Sequence, residues 1–129
     1  MMNNYSFKKR VSETLNIPYG ASVLVAVSGG VDSMCMLHAL CSIDLDLRLY
    51  VAHVNFNLRG AESDADESLV RQWCNEKGLE LFVNSVDTIS YCKHKGVSME
   101  MGARELRYGW FESLIKERGI QYLFTAHNA

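Results

Sequence analysis

The chain has 129 residues, of which 48% are apolar and 22% charged, and a formal net charge of −2. That length suits a single domain, and a domain of this size buries roughly two thirds of its unfolded surface, so it needs no disulfide to hold a core. The composition argues against disorder, no apolar run approaches the roughly 20 residues that span a bilayer, and the near-neutral charge neither favours nor opposes a nucleic-acid partner.

In chain order, strands alternate with helices. Tyr5–Asn16 reads as a helix that ends before the breakers Pro18 and Gly20. Ser22–Val27 (SVLVAV) is a short, nearly unbroken apolar run, the pattern of a strand buried on both faces of a parallel sheet. A helix is expected from Asp32 to Ser42, with Leu37, Leu40 and Cys41 along one stripe, followed by a second strand over Leu47–Val54. Glu62–Lys77 reads as a helix whose first turns are crowded with acids, as the positive end of the macrodipole favours, and Gly78 stops it. A third strand spans Glu80–Val86, and Asp87–Lys95 reads as a short helix capped by Asp87 and closed by Gly96. Ser98–Arg118 is a long helix with Leu106, Trp110 and Leu114 on its core-facing stripe; Gly119 ends it, and Gln121–Thr125 is a fourth strand. This order predicts an α/β fold with a doubly wound parallel sheet, Rossmann-like, of at least four strands. The chain stops at the carboxyl end of a strand, where such sheets bind ligands, so residues 1–129 are expected to form a domain incomplete at its C-terminal end.

Cys35, Cys41, Cys74 and Cys92 are dispersed, with no C-x-x-C pair to suggest zinc or a redox dithiol. Cys35 and Cys41 fall in an apolar helical stretch, where free cysteine acts as a small hydrophobe. Met1–Tyr5 lacks the layout of a signal peptide. These features predict a cytoplasmic location and no membrane association.

Ser28-Gly29-Gly30-Val31-Asp32-Ser33 lies between a buried strand and a helix start. Two glycines let the backbone turn sharply and approach a bulky anion. The helix start offers unpaired N–H groups and partial positive charge to a phosphate, and Ser28 and Ser33 can add hydroxyl donors. The structural alternative is a simple strand-to-helix turn closed by Asp32 or Ser33. The loop is neither a Walker A sequence nor a G-x-G-x-x-G. It resembles the SGGxDS signature of the N-type ATP pyrophosphatases, the PP-loop family, which has an adenine-nucleotide alpha hydrolase-like fold. In that family the loop holds the pyrophosphate part of ATP, pyrophosphate leaves, and AMP passes to a substrate oxygen. The resemblance implies ATP and Mg²⁺ as cofactors, with Ser28, Gly29, Gly30, Val31, Asp32 and Ser33 on the phosphates. Asp32 is the candidate metal ligand, an N-cap being its other reading.

Three further segments resemble one branch of that family, the tRNA(Ile)-lysidine synthetases. His53–Gly60 (HVNFNLRG) is similar to HVNHGLRG, with Phe56 and Asn57 standing where the branch usually has histidine and glycine. The stretch Glu100–Tyr108 is similar to E-x-x-AR-x-x-RY, where Glu100 and Arg104, four apart on a helix, can pair. Thr125–Ala129 is similar to the start of TAHxxDD. The resemblance implies ligation of free L-lysine to C2 of the wobble cytidine of tRNA(Ile) with a CAU anticodon, through adenylation of the base oxygen. It puts His53 and Asn55 on the nucleoside side, Arg59 and His127 at the ligand edge, and Arg104, with Asp32, at the reacting centre. Taken one at a time, His53, Asn55 and Arg104 also suit plain structural roles. Two alternatives remain: a tRNA thiolase of the same family, which typically needs cysteines for sulfur delivery or a cluster, and a non-catalytic adenine-nucleotide-binding module.

Overall fold

The computed structural model describes residues 17–126. The helix expected over residues 5–16 and the side chain of His127 lie outside them. The elements are β1 (Ser22–Ala26), α1 (Val31–Ser42), β2 (Arg48–Asn55), α2 (Ala61–Lys77), β3 (Glu80–Ser85), α3 (Thr88–Lys95), α4 (Met99–Arg118) and β4 (Tyr122–Thr125). Each boundary falls within one residue of the sequence reading, because glycines stand at the stops: Gly78, Gly96 and Gly119 all cap helices in the left-handed conformation.

The four strands form one parallel sheet in the order β3-β2-β1-β4. The chain therefore builds outward from β1 to β3 and then crosses back to the other side of β1. Strand β1 is central and apolar on both faces. Its Val23 and Val25 pack with Met36, Leu37 and Leu40 of α1, Val51 of β2, and Val70 and Cys74 of α2. Its Leu24 and Ala26 pack on the opposite face with Phe111 and Leu114 of α4. Helices thus cover both faces, as the unbroken apolar run of β1 requires.

Two stripes differ in detail from the sequence reading. On α1 the buried apolar residues are Met36, Leu37, Ala39 and Leu40, with Ser33 buried beside them, whereas Cys35 and Cys41 are exposed and the buried cysteines are Cys74 and Cys92. Burial pushes the Cys74 thiol up to about 11, so it stays protonated and fills space. On α4 the fully buried residues are Gly102, Phe111 and Leu114, while Leu106 and Trp110 are half-buried. The four-residue spacing of Leu106, Trp110 and Leu114 drifts around the helix, and Phe111, one position along, carries the contact with the sheet. Among the described residues no helix is long and apolar enough to cross a membrane.

Helix α3 packs on α4 through Cys92, and a Cβ added at Gly102 would overlap the Cys92 Sγ atom. Gly102→Ala is therefore expected to lower stability by about 1–3 kcal/mol, the usual range for overpacking, in a urea titration; Cys92→Ala in the same chain should recover part of the loss. Asp87 caps α3 by accepting from the Ser90 N–H at 3.1 Å and the Ser90 hydroxyl at 2.8 Å, and these bonds hold its carboxyl below the usual carboxylate range. A depressed folded value means that the cap's contribution is present above the unfolded carboxylate value and is lost as pH falls through the folded one. Asp87→Ala should thus lower Tm at neutral pH, and the difference from the parent should shrink steadily below about pH 4.

Candidate functional site

The loop after β1 is held at both ends. Val27 donates its N–H to Ala52 at 2.9 Å, continuing the sheet for one residue. Gly29 then takes φ +92°, and a Cβ placed there would lie 2.9 Å from the Asp66 Cβ of α2, so both conformation and close approach demand glycine. Gly30 is the N-cap of α1 and has no side-chain cap bond; neither Asp32 nor Ser33 closes the helix in the way the structural alternative required. Instead Ser33 turns back into the loop. Its Oγ accepts from the Ser28 N–H at 3.1 Å and lies 3.1 Å from both the Gly30 carbonyl and the Ser28 hydroxyl. Ser28 Oγ in turn accepts from the Gly30 N–H at 3.2 Å. The two hydroxyls therefore fix the loop's shape. The first intrahelical bond of α1 runs from Met34 to Gly30, so the N–H groups of Val31, Asp32 and Ser33 have no partner within the helix, at its positive end. Val31 and Asp32 are exposed.

The carboxyl end of β2 lies beside this loop. His53 is 2% exposed, and its Nδ1–H donates to the Val27 carbonyl at 2.7 Å. A carbonyl only accepts, so Nδ1 carries a proton, and Nε2 is buried with no hydrogen-bond partner among the described residues. Asn55 is also buried. Its amide donates to Asp64 at 3.0 Å and Glu67 at 3.2 Å, and its oxygen accepts from the Asn57 N–H at 3.0 Å. Its polar atoms thus tie β2 to the acidic start of α2. The Arg71 guanidinium and the Asn55 amide hold the Glu67 carboxyl below its usual range, so the tie carries negative charge. Asn57 takes φ +55°, a left-handed conformation that asparagine tolerates and that glycine, usual in the resembling branch, adopts freely.

A cavity of about 300 Å³ opens at the carboxyl edge of the sheet, between Ser28 and Ser33 of the loop, the end of β2, and Arg107 and Phe111 of α4. This size lies at the lower end of small-molecule sites. Ser28, Ser33, His53, Asn55 and Arg59 all line it. Arg59 already has anionic partners there, Asp66 at 2.8 Å and Glu62 at 3.5 Å. Arg104 does not line the cavity; it is exposed, and its guanidinium lies 5.2 Å from the Tyr108 ring centre. No ion pair joins it to Glu100 among the described residues, contrary to the pair expected from their spacing. Arg107, to which the sequence reading gave no role, is the α4 arginine in the cavity wall, 5.8 Å from the Phe56 ring centre. The available signal was its position four residues before the buried Phe111, which turns it toward the sheet.

A glycine-turned loop running into a helix start, at the carboxyl edge of a doubly wound parallel sheet and beside a cavity, defines the class of α/β proteins that bind ligands at a topological switch point. A PP-loop domain family profile matches residues 3–129, and the chain belongs to that family. It is 45% identical over 107 residues to a tRNA(Ile)-lysidine synthase of Porphyromonas gingivalis, covering 83% of this chain and 23% of the relative. It is 46% identical over 112 residues to one of Chlorobaculum tepidum (85% of this chain, 34% of the relative). With one of Clostridium perfringens it shares 40% over 121 residues (92% and 26%). The chain thus spans a quarter to a third of the length of these relatives. Among solved structures, a U34-tRNA thiolase of Methanococcus maripaludis superposes with TM-score 0.75 at 21% identity, over 96% of this chain and 45% of the other. An NH₃-dependent NAD synthetase of Campylobacter jejuni gives 0.66 at 15%, over 95% and 56%. These two likenesses concern the fold.

The close approach at Gly29 yields a differential test. Gly29→Ala must strain a positive φ and push against Asp66, a cost of about 1–3 kcal/mol. Gly30→Ala keeps an ordinary φ of −76° and meets only the Ser28 hydroxyl, at 3.3 Å. Thermal unfolding should show a clear drop in Tm for the first and a much smaller one for the second.

Proposed function

We propose that the intact protein carrying this chain modifies tRNA at the expense of ATP: it adenylates O2 of the wobble cytidine of a CAU-anticodon tRNA(Ile) and joins lysine to C2. The observation that carries the reading is a loop that requires glycine at residue 29 and leads into the start of α1, with its Ser28 and Ser33 lining a cavity at the carboxyl edge of the sheet. Identities of 40–46% to proteins named tRNA(Ile)-lysidine synthase support the choice of substrate.

The residues suit the ligands by their chemistry. The amides of Val31, Asp32 and Ser33, in the first turn of α1, have no acceptor within their own helix and would hold the triphosphate. His53 lines the cavity with a buried Nε2 that has no hydrogen-bond partner among the described residues, and a polar group of the nucleoside would complete it. Asn55 supports that side by fixing the loop after β2. Arg59 shapes the rim through Asp66. Arg107, in the cavity wall, would meet the reacting groups. Bound Mg²⁺ would neutralise charge on the departing pyrophosphate, and Asp32, exposed in the first turn, is the residue suited to hold it.

The chemistry balances in two displacements. The cytidine O2 attacks the α-phosphorus as pyrophosphate leaves; the lysine amine then attacks C2, AMP departs with the oxygen, and the amine loses a proton. Throughout, this part of the protein positions the groups and stabilises their charge. The location that fits such a substrate is the cytoplasm. The test is AMP and pyrophosphate release by the intact protein with CAU tRNA, with and without lysine. Pyrophosphate release that depends on tRNA and AMP release that depends on lysine are expected; AMP release indifferent to lysine rejects the ligase, and no pyrophosphate release leaves only a binding module.

A further inference from the structure

The turn after β2 holds one side chain that neither the core nor the phosphate loop explains. Phe56 is half-buried and lines the cavity, yet belongs to neither hydrophobic cluster. Its backbone is nonetheless tightly fixed. The buried Thr88 hydroxyl donates to the Phe56 carbonyl at 2.7 Å. The next residue, Asn57, donates its N–H to Asn55 and its amide to the Val86 carbonyl at 2.8 Å and the Ser85 hydroxyl at 3.0 Å. A solvent-facing turn has no need of so many ties unless the position of its side chain matters. The Arg107 guanidinium stands 5.8 Å from the ring centre, within the range of a cation–π contact. The rest of the wall nearby is small and apolar: Ala26, Ala52 and Val54.

We propose that Phe56 is the stacking surface for a nucleobase in this cavity, braced by Arg107. The proposal rests on the reading of the neighbouring loop as a phosphate site. Aromatic rings and guanidinium planes are the surfaces on which bases stack, and small apolar residues admit a flat heterocycle edge-on. The branch that this segment resembles usually has histidine, another flat ring, at this position. The base is either the adenine of ATP or the target base of the tRNA, and both present the same face to the ring.

The experiment measures dissociation constants of the intact protein for ATP, inorganic tripolyphosphate and CAU tRNA, in the parent, Phe56→Ala and Phe56→His. Phe56→Ala should weaken ATP or tRNA roughly ten-fold or more, the range of one lost base stack, and leave tripolyphosphate unchanged; Phe56→His should keep most of the affinity. Whichever of the two ligands suffers is the one whose base stacks. Unaltered affinity for both overturns the proposal, as does an equal loss of tripolyphosphate, which would mean that the turn had collapsed. If the parent binds neither ATP nor tripolyphosphate, the phosphate-loop reading itself fails.

Discussion

The contact between Gly29 and the backbone and Cβ of Asp66 governs the geometry of the site. A loop following a buried strand must choose a direction, and here it lies flat against the first turns of α2, with room for a hydrogen and nothing larger. That contact fixes where α1 begins, and so where its unpaired amides stand. It also couples the loop to the second crossover, since Asp66 is the same residue that pairs with Arg59 on the cavity rim. Loop and rim are thereby parts of one rigid unit.

A second set of constraints acts through amides and hydroxyls. Asn55 bridges β2 to Asp64 and Glu67, and Asn57 bridges the same turn to the end of β3. Buried polar groups must be satisfied, and these two asparagines satisfy one another and their neighbours almost completely. Asn57 further shows how a departure from the family pattern can be structurally neutral. The position requires a positive φ, and asparagine is the side chain that meets this with least strain while adding bonds that glycine lacks. His53 stands apart in this network, with one nitrogen bonded to Val27 and the other buried without a partner among the described residues. A protein rarely keeps such an atom except where a ligand or water completes it.

The family resemblance was carried by short motifs, and its parts fared differently when the chain was seen folded. The glycine loop lies where a strand-to-helix phosphate site should be. Asn55 lines the cavity, yet its polar atoms bond the protein. Arg104 lies on the outer side of α4, over Tyr108, while Arg107 faces the cavity. They stand three positions apart, only about 60° from each other around the helix, so a motif containing both arginines cannot by itself reveal which one reaches the cavity.

The sequence alone determined the order and limits of the elements, the parallel sheet and the glycine turn between β1 and α1. These depend on local patterns: unbroken apolar runs for strands buried on both faces, glycines at left-handed helix ends, and acids at helix starts. Only the tertiary structure decided which stripe of α4 meets the sheet, that Arg59 is paired with Asp66, and that Phe56 and Arg107, 51 positions apart in the chain, come together. The reason is physical: a side chain's partner across space depends on how two helices rotate and settle on a sheet, and a rotation too small to alter any local pattern is enough to exchange one neighbour for another.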